Sequence, residues 1–256
     1  REIFEWMRVS EGLEVHHDGD IPARSGLGSS SSFTVGLLNA LYANLGSIVS
    51  KERLAKEATF VEQELVGDYV GCQDQIAASF GGFNRIEFRK SGSFVVEPII
   101  ISDEKKSTLQ DHCLLIFTGI SRIASTIAQT KIQNFSKRER QLLLIQEMVN
   151  EGLNILQSKT EEISNFGKLM HEAWQLKKTL APQVSSGVID EMYDKAQKLG
   201  AYGGKVLGAG GGGFLLIMCP PEKKRKICEE FSNYVNVPFK FEDSGSRIIL
   251  YQPVGF

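Results

Sequence analysis

Apolar residues recur along the chain in a pattern that changes period several times. From Phe4 to His16 they suggest a helix end followed by a strand, and Asp18 to Ile21 reads as a turn. Beyond PARSGLGSSSS, Pro22 to Ser32, the residues Phe33, Leu37, Leu38, Leu41 and Leu45 return at helical spacing, with Gly46 placed as a C-terminal cap. The glycine- and serine-rich loop therefore opens a helix. Ser50 caps a second helix, whose stripe is Leu54, Ala58, Val61 and Leu65 and whose terminator is Gly67; it carries Glu62. CQDQIAASF, between Gly71 and Gly81, predicts one more short helix carrying Asp74.

The period then shortens. Phe83 to Phe88, Phe94 to Ile101 and Cys113 to Phe117 read as strands that return to a sheet shared with the opening strand. From Ser121 to about Gly200 the pattern is helical, including a stripe of Leu142, Ile145, Met148, Val149, Leu153 and Leu156. The remainder alternates strand (Gly213 to Cys219), helix (Pro221 to Tyr234), strand (Pro238 to Phe241) and strand (Arg247 to Tyr251). The sum is an α+β chain that divides near residue 120, into 1–120 and 121–256.

Composition narrows the function classes. With 256 residues, 42% of them hydrophobic, the chain can bury a core without disulfides or metals. Its 29 basic and 31 acidic residues are mixed, so no broad cationic face is expected for nucleic acid or an anionic membrane. Anionic ligands must be held locally. No apolar run is long enough for a membrane span and the start has no signal-peptide pattern, so a cytoplasmic protein is expected. Cys72, Cys113, Cys219 and Cys228 lie far apart with no metal-binding spacing, and are read as reduced thiols.

Candidate chemistry lies in two loops and between them. Glycine lets a backbone approach an oxyanion closely, and a helix start offers free N–H groups with partial positive charge. GLGSSSS before a helix does both, and Ser29 to Ser32 add hydroxyls for phosphate oxygens or Mg²⁺. The second loop, KVLGAGGGGF from Lys205 to Phe214, contains GxGxxG at Gly208, Gly210 and Gly213. A dinucleotide-binding reading fails on context, because an apolar strand follows rather than a helix. Five glycines among the six residues Gly208 to Gly213 are costly in chain entropy, so something needs close access to that backbone. Phosphoryl transfer also needs a metal near the phosphates and a group that positions or deprotonates the attacking hydroxyl; Glu62 and Asp74, between the two loops, are the candidates.

Together, PxxxGLGSSS, a later glutamate followed by a DQ-containing helix, and GAGGGG resemble the GHMP kinases, over nearly the whole chain. The resemblance implies a two-domain fold with a ribosomal-protein-S5-like N-terminal part, which binds ATP, and a ferredoxin-like C-terminal part. It implies ATP and Mg²⁺ as cofactors, with the nucleotide held by Gly26, Gly28, Ser29, Ser30, Ser31 and Ser32, and by Gly208, Gly210, Gly211 and Gly212. Ser30 and Glu62 would hold the metal, and Asp74 would be the catalytic base. Stretches such as GCQDQIAASFGGFNRIEF and LLIFTGISRIAS resemble the branch of the family that phosphorylates the anomeric hydroxyl of D-glycero-D-manno-heptose 7-phosphate. The expected partner is then a small sugar phosphate, for which Arg122 and Lys205 are the first candidate ligands; Lys131, Arg138 and Arg140 are further cations at hand. A kinase for fucose or galactose stays open, as do a non-catalytic nucleotide or sugar sensor and a homodimer. Family members begin with a further segment that carries part of the adenine site. Arg1 to Ile21 resembles only the strand ahead of the serine loop, so an N-terminal domain incomplete at its start is expected.

Overall fold

A computed structural model describes residues 1–21, 23, 25–121 and 124–252, and only the backbone of 124–126. Arg122, expected to meet substrate, lies outside the described residues. The chain forms two compact units. One is Arg1–Ala23, Gly28–Glu97 and Glu242–Phe256; the other is Arg24–Leu27 and Pro98–Phe241.

The first unit is a helical cluster with one small sheet. Helix α1 (Glu2–Trp6) is short, and residues 7–21 form neither helix nor strand. The expected opening strand is therefore absent: Leu13 and Val15 alternate with polar neighbours but are exposed, and no described strand pairs with them. Helix α2 (Ser29–Asn44) starts at Gly28, and Gly46 follows its end at φ +68°, as a C-terminal glycine should. Its buried face is Ser31, Thr34, Val35, Leu38 and Leu41, whereas Phe33 and Leu45 of the anticipated stripe are exposed. The first turn of that face is thus polar.

Helix α3 (Lys51–Phe60) is capped by Ser50, whose hydroxyl accepts the Arg53 N–H. It continues into a π-helical turn, Val61–Leu65, closed by the Val66 N–H on the Val61 carbonyl. Leu54, Ala58 and Val61 pack with Val35, Leu38, Leu41 and Ile3. Leu38 is fully buried there, and truncating such a leucine to alanine costs about 2–5 kcal/mol. Helix α4 (Gln73–Phe80) lies against α2 and α3, and strands β1 (Asn84–Phe88) and β2 (Phe94–Pro98) make a two-stranded sheet.

In the second unit, helix α5 (Asp103–Asp111) leads to strand β3 (Cys113–Phe117). Helices α6 (Ala124–Asn134), α7 (Glu139–Gln157), α8 (Ile163–Lys178) and α9 (Gly187–Lys198) follow, then strands β4 (Gly203–Val206) and β5 (Phe214–Met218) and helix α10 (Pro221–Glu230). The sheet order is β3-β5-β4, antiparallel throughout, with Leu115 opposite Leu216 and Lys205 opposite Leu216 on its other side. Strand β3 therefore belongs with the late strands rather than with β1 and β2. An isolated bridge joins Ile116 to Asn236, but 238–241 and 247–251, expected as strands, form none.

Trp174, Ile189, Leu215, Ile217 and Ile227 centre the core of this unit. Only the C-terminal end of α7 joins a buried face, through Gly152, Ile155 and Leu156, while Val149 of the anticipated stripe is exposed. Cys113 and Cys219 are buried thiols that burial pushes up to about 11 and about 12, consistent with unreactive core cysteines. Among the described residues no helix is long and apolar enough to cross a membrane.

Candidate active site

In the first unit the chemistry gathers around one buried carboxylate. Glu62 is 3% exposed and accepts hydrogen bonds from the two middle residues of the serine segment and from beyond it. Ser30 Oγ donates to Oε1 at 2.6 Å, Ser31 Oγ to Oε2 at 2.8 Å and Thr34 Oγ1 to Oε1 at 3.3 Å. The fourth donor is Gln75 Nε2, from α4, in a short contact with Oε2. The arrangement follows from helix periodicity. Ser30, Ser31 and Thr34 share one side of the first turns of α2, and Glu62 continues the Leu54–Ala58 line at the next i+4 position. A charge at that depth requires such partners, because a buried carboxylate left unpaired is strongly destabilising. The π-helical turn that carries Glu62 is a local widening often found at functional sites.

Asp74 sits in the first turn of α4, where negative charge is favoured by the helix dipole. Its side chain lies against the α-carbon of Gly28. A Cβ built on Gly28 would stand 3.2 Å from Asp74 Cβ and 3.5 Å from Oδ2. Gly28 is also the left-handed N-cap of α2, at φ +70°. Asp74 is thus fixed beside the start of that helix, whose leading N–H groups have no intrahelical acceptor. Ser30 and Ser32 are exposed there, Ser29 is half-buried and Ser31 is buried. Of these contacts, sequence reasoning missed Thr34, one turn beyond the serines, and Gln75 as hydrogen-bond donors to Glu62. The signals were present: Thr34 lies three and four residues beyond Ser31 and Ser30, and Gln75 adjoins Asp74.

In the second unit, Gly208 to Gly213 link β4 to β5 and pack against the chain's own backbone. A Cβ on Gly213 would fall 2.0 Å from the Ser25 carbonyl oxygen, one on Gly212 2.5 Å from that of Ile120, and one on Gly210 2.6 Å from that of Val184. A Cβ on Gly208 would stand 2.9 Å from the Gly26 carbonyl oxygen. The Gly211 N–H donates to Val184 O at 2.8 Å, and Thr118 donates to the Gly213 carbonyl through both its N–H and its hydroxyl. Much of the glycine content is therefore required by neighbouring backbone, and residues 210–213 are buried. Ser25 and Gly26, which belong to this same unit, are the partners of Gly213 and Gly208.

Three lysines surround this loop. Lys177 Nζ donates to the carbonyls of Gly208, at 2.8 Å, and Val206, at 3.3 Å. Lys131 Nζ donates to Ala209 O at 3.3 Å. Lys205, on β4, is half-buried, and burial pushes its ammonium below the ordinary lysine range. Burial, and then the charge of Lys205, do the same to Lys131. Arg138, the N-cap of α7, and Arg140, in its first turn, are exposed and have no described contact with this group.

Residues 1–82 match the GHMP kinases N terminal domain, and residues 155–237 the GHMP kinases C terminal domain. The chain is 32% identical over 228 residues to D-glycero-alpha-D-manno-heptose 7-phosphate kinase of Campylobacter jejuni, covering 89% of this chain and 67% of that one. It belongs to the GHMP kinases. The chain is also 30% identical over 226 residues to the bifunctional fucokinase/GDP-fucose pyrophosphorylase of Arabidopsis thaliana, covering 85% of this chain and 21% of that one. Among solved structures, a D-glycero-D-manno-heptose 1-phosphate kinase from Bacteroides thetaiotaomicron superposes with a TM-score of 0.69 at 26% identity, covering 95% of this chain and 70% of that one. The GHMP kinase fold expected from the two loops is thus established, and with it membership of a class of phosphotransferases that includes sugar kinases.

Proposed function

We propose that this GHMP kinase transfers the terminal phosphoryl group of ATP to the anomeric hydroxyl of D-glycero-D-manno-heptose 7-phosphate, giving the 1,7-bisphosphate. The observation that carries the phosphotransfer reading is the seating of Asp74 against Gly28, at the open start of a serine-rich helix. The choice of sugar is supported by the heptose kinase relatives.

In this reading Gly26, Gly28 and Ser29 to Ser32 hold the nucleotide phosphates, through backbone N–H groups and hydroxyls that need no reorganisation as charge develops. Gly208, Gly210, Gly211 and Gly212 give the loop its shape near the nucleotide. Asp74 takes the proton of the attacking sugar hydroxyl. Ser30 and Glu62 supply hard oxygen donors of the kind Mg²⁺ prefers: Ser30 gives its proton to Glu62 and keeps its own lone pairs for a cation, and Glu62, which accepts from four donors, would ligate the metal by releasing one of them. When bound, the metal would draw negative charge from the phosphate oxygens. Ser31, Thr34 and Gln75 hold the Glu62 carboxylate in place. Lys205 and Arg122 are proposed to meet the sugar phosphate.

The test is ADP release with a panel of sugars, each offered with and without its terminal phosphate, and ³¹P NMR of the product. Turnover that requires the phosphorylated heptose and yields an anomeric phosphate supports the proposal. Equal kcat/KM for heptose and heptose 7-phosphate, or preference for fucose or galactose, would replace the substrate. No turnover of any sugar, with nucleotide still bound, would favour a sensor.

A further inference from the structure

Lysine ammonium groups repel one another, and burial raises the cost by removing water that would screen them. Such a pair normally sits beside a carboxylate. Lys131, on α6, and Lys205, on β4, break that expectation. Burial lowers both, Lys131 also feels the charge of Lys205, and among the described residues no acidic side chain offsets either charge.

The donor count points the same way. An ammonium group has three N–H donors. Lys131 commits one of them to Ala209 O, at the long distance of 3.3 Å, and Lys205 commits none to a described acceptor. Lys177 differs, since its ammonium spans the Val206 and Gly208 carbonyls and pins the loop. One cation with spare donors, Lys131, and one with no described acceptor, Lys205, therefore adjoin a glycine loop whose shape is fixed by Lys177, Thr118 and Val184.

We infer that Lys131 and Lys205 together form a binding site for a phosphate group, gripping one dianion between them. Two sources share that chemistry: the phosphate already on the sugar, and a phosphate of the nucleotide. The inference rests on the kinase reading only for which of the two arrives.

The decisive experiment titrates inorganic phosphate into the full chain by calorimetry, at constant ionic strength against chloride, and needs no turnover. Wild type should bind phosphate, and Lys131→Met and Lys205→Met should each weaken it by about tenfold or more, as expected for loss of a charge-assisted contact. The double substitution should lose less than the product of the two single effects, because both groups hold one ion. Lys131→Arg and Lys205→Arg should restore most of the affinity. If Lys131→Met unfolds because the Ala209 contact is lost, Lys205→Met, which loses no such contact, carries the test. Steady-state kinetics then separate the sources: a raised KM for sugar phosphate alone identifies the sugar, and a raised KM for Mg·ATP alone the nucleotide. Phosphate affinity equal in wild type and both Met variants overturns the site. That result would leave the kinase reading standing, and loss of sugar turnover with intact phosphate binding would do the converse.

Discussion

Gly28 and Asp74 are packed so closely that any side chain at position 28 would press on the aspartate. The ideal Cβ lies 3.2 Å from Asp74 Cβ and 3.3 Å from Cγ, on a residue already at φ +70°. Gly28→Ala therefore combines backbone strain with displacement of Asp74. The strain alone is worth about 1 kcal/mol, which predicts a melting temperature lower by a few degrees. Turnover should fall much further, by about 10²-fold, because a displacement near 1 Å at a reacting group has that effect. Thermal melts and kcat on the same preparation check both numbers; a variant that melts early but turns over normally would free Asp74 from its assigned place.

Removal of the Glu62 carboxylate should be felt in folding as well as in ligand binding. Glu62→Ala leaves the hydroxyls of Ser31 and Thr34 and the amide of Gln75 without their acceptor in a buried setting. Each buried orphan costs about 1–3 kcal/mol, so a loss of several kcal/mol is expected in urea unfolding. Glu62→Gln keeps the volume but turns one acceptor into a donor facing donors, and should fall between the alanine variant and wild type.

The C-terminal turn provides a pH probe of the helix that carries Asp74. Glu242 accepts from the Ser244 hydroxyl and from the N–H groups of Gly245 and Ser244, which hold its carboxyl down at about 2 against an ordinary 4.5. Ser246 N–H then bonds Ala78 O near the end of α4, and Lys51 Nζ bonds both Phe80 O and Ser244 O. A carboxyl whose folded value is depressed contributes stability above its unfolded value, and loses it as pH falls through the folded one. The turn should loosen between about pH 4.5 and about pH 2. Because the group is exposed, the effect is small. The protection of the Ser246 N–H, taken relative to its intrinsic exchange rate, should fall as pH drops through that window in wild type, whereas Glu242→Gln should show the lower protection already at pH 6 and little further change.

Much of the local structure around the candidate site was legible in the sequence, for reasons that differ by residue. Ser50, Gly46 and Gly67 act locally, so caps and terminators could be read from neighbours alone, and the serine loop announces itself by composition. Glu62 was recognisable as a candidate, and its burial follows from a line of i+4 steps through Leu54 and Ala58. What failed was long-range pairing. The run at 113–117 has the same strand character whichever partner it takes, and only the fold assigns it to β5 rather than to β1 and β2. The glycines at 208–213 were rightly singled out as needing close approach. Nothing local says that the approaching atoms include the carbonyls of Ser25, Ile120 and Val184.

The account's central claim is a division of labour between two carboxylates, with Glu62 serving Mg·ATP and Asp74 serving the sugar hydroxyl. The direct measurement is Mg·ATP calorimetry paired with single-turnover chemistry at saturating sugar phosphate, in Asp74→Asn and in Glu62→Gln. Asp74→Asn should bind Mg·ATP like wild type yet react about 10²- to 10⁴-fold more slowly, the usual contribution of a general base. Glu62→Gln should weaken Mg·ATP, with metal-free ATP little affected, since a neutral amide is a poor ligand for a hard cation. The reverse pattern, with Asp74→Asn losing Mg·ATP while single-turnover chemistry stays near wild type, would contradict the assignment.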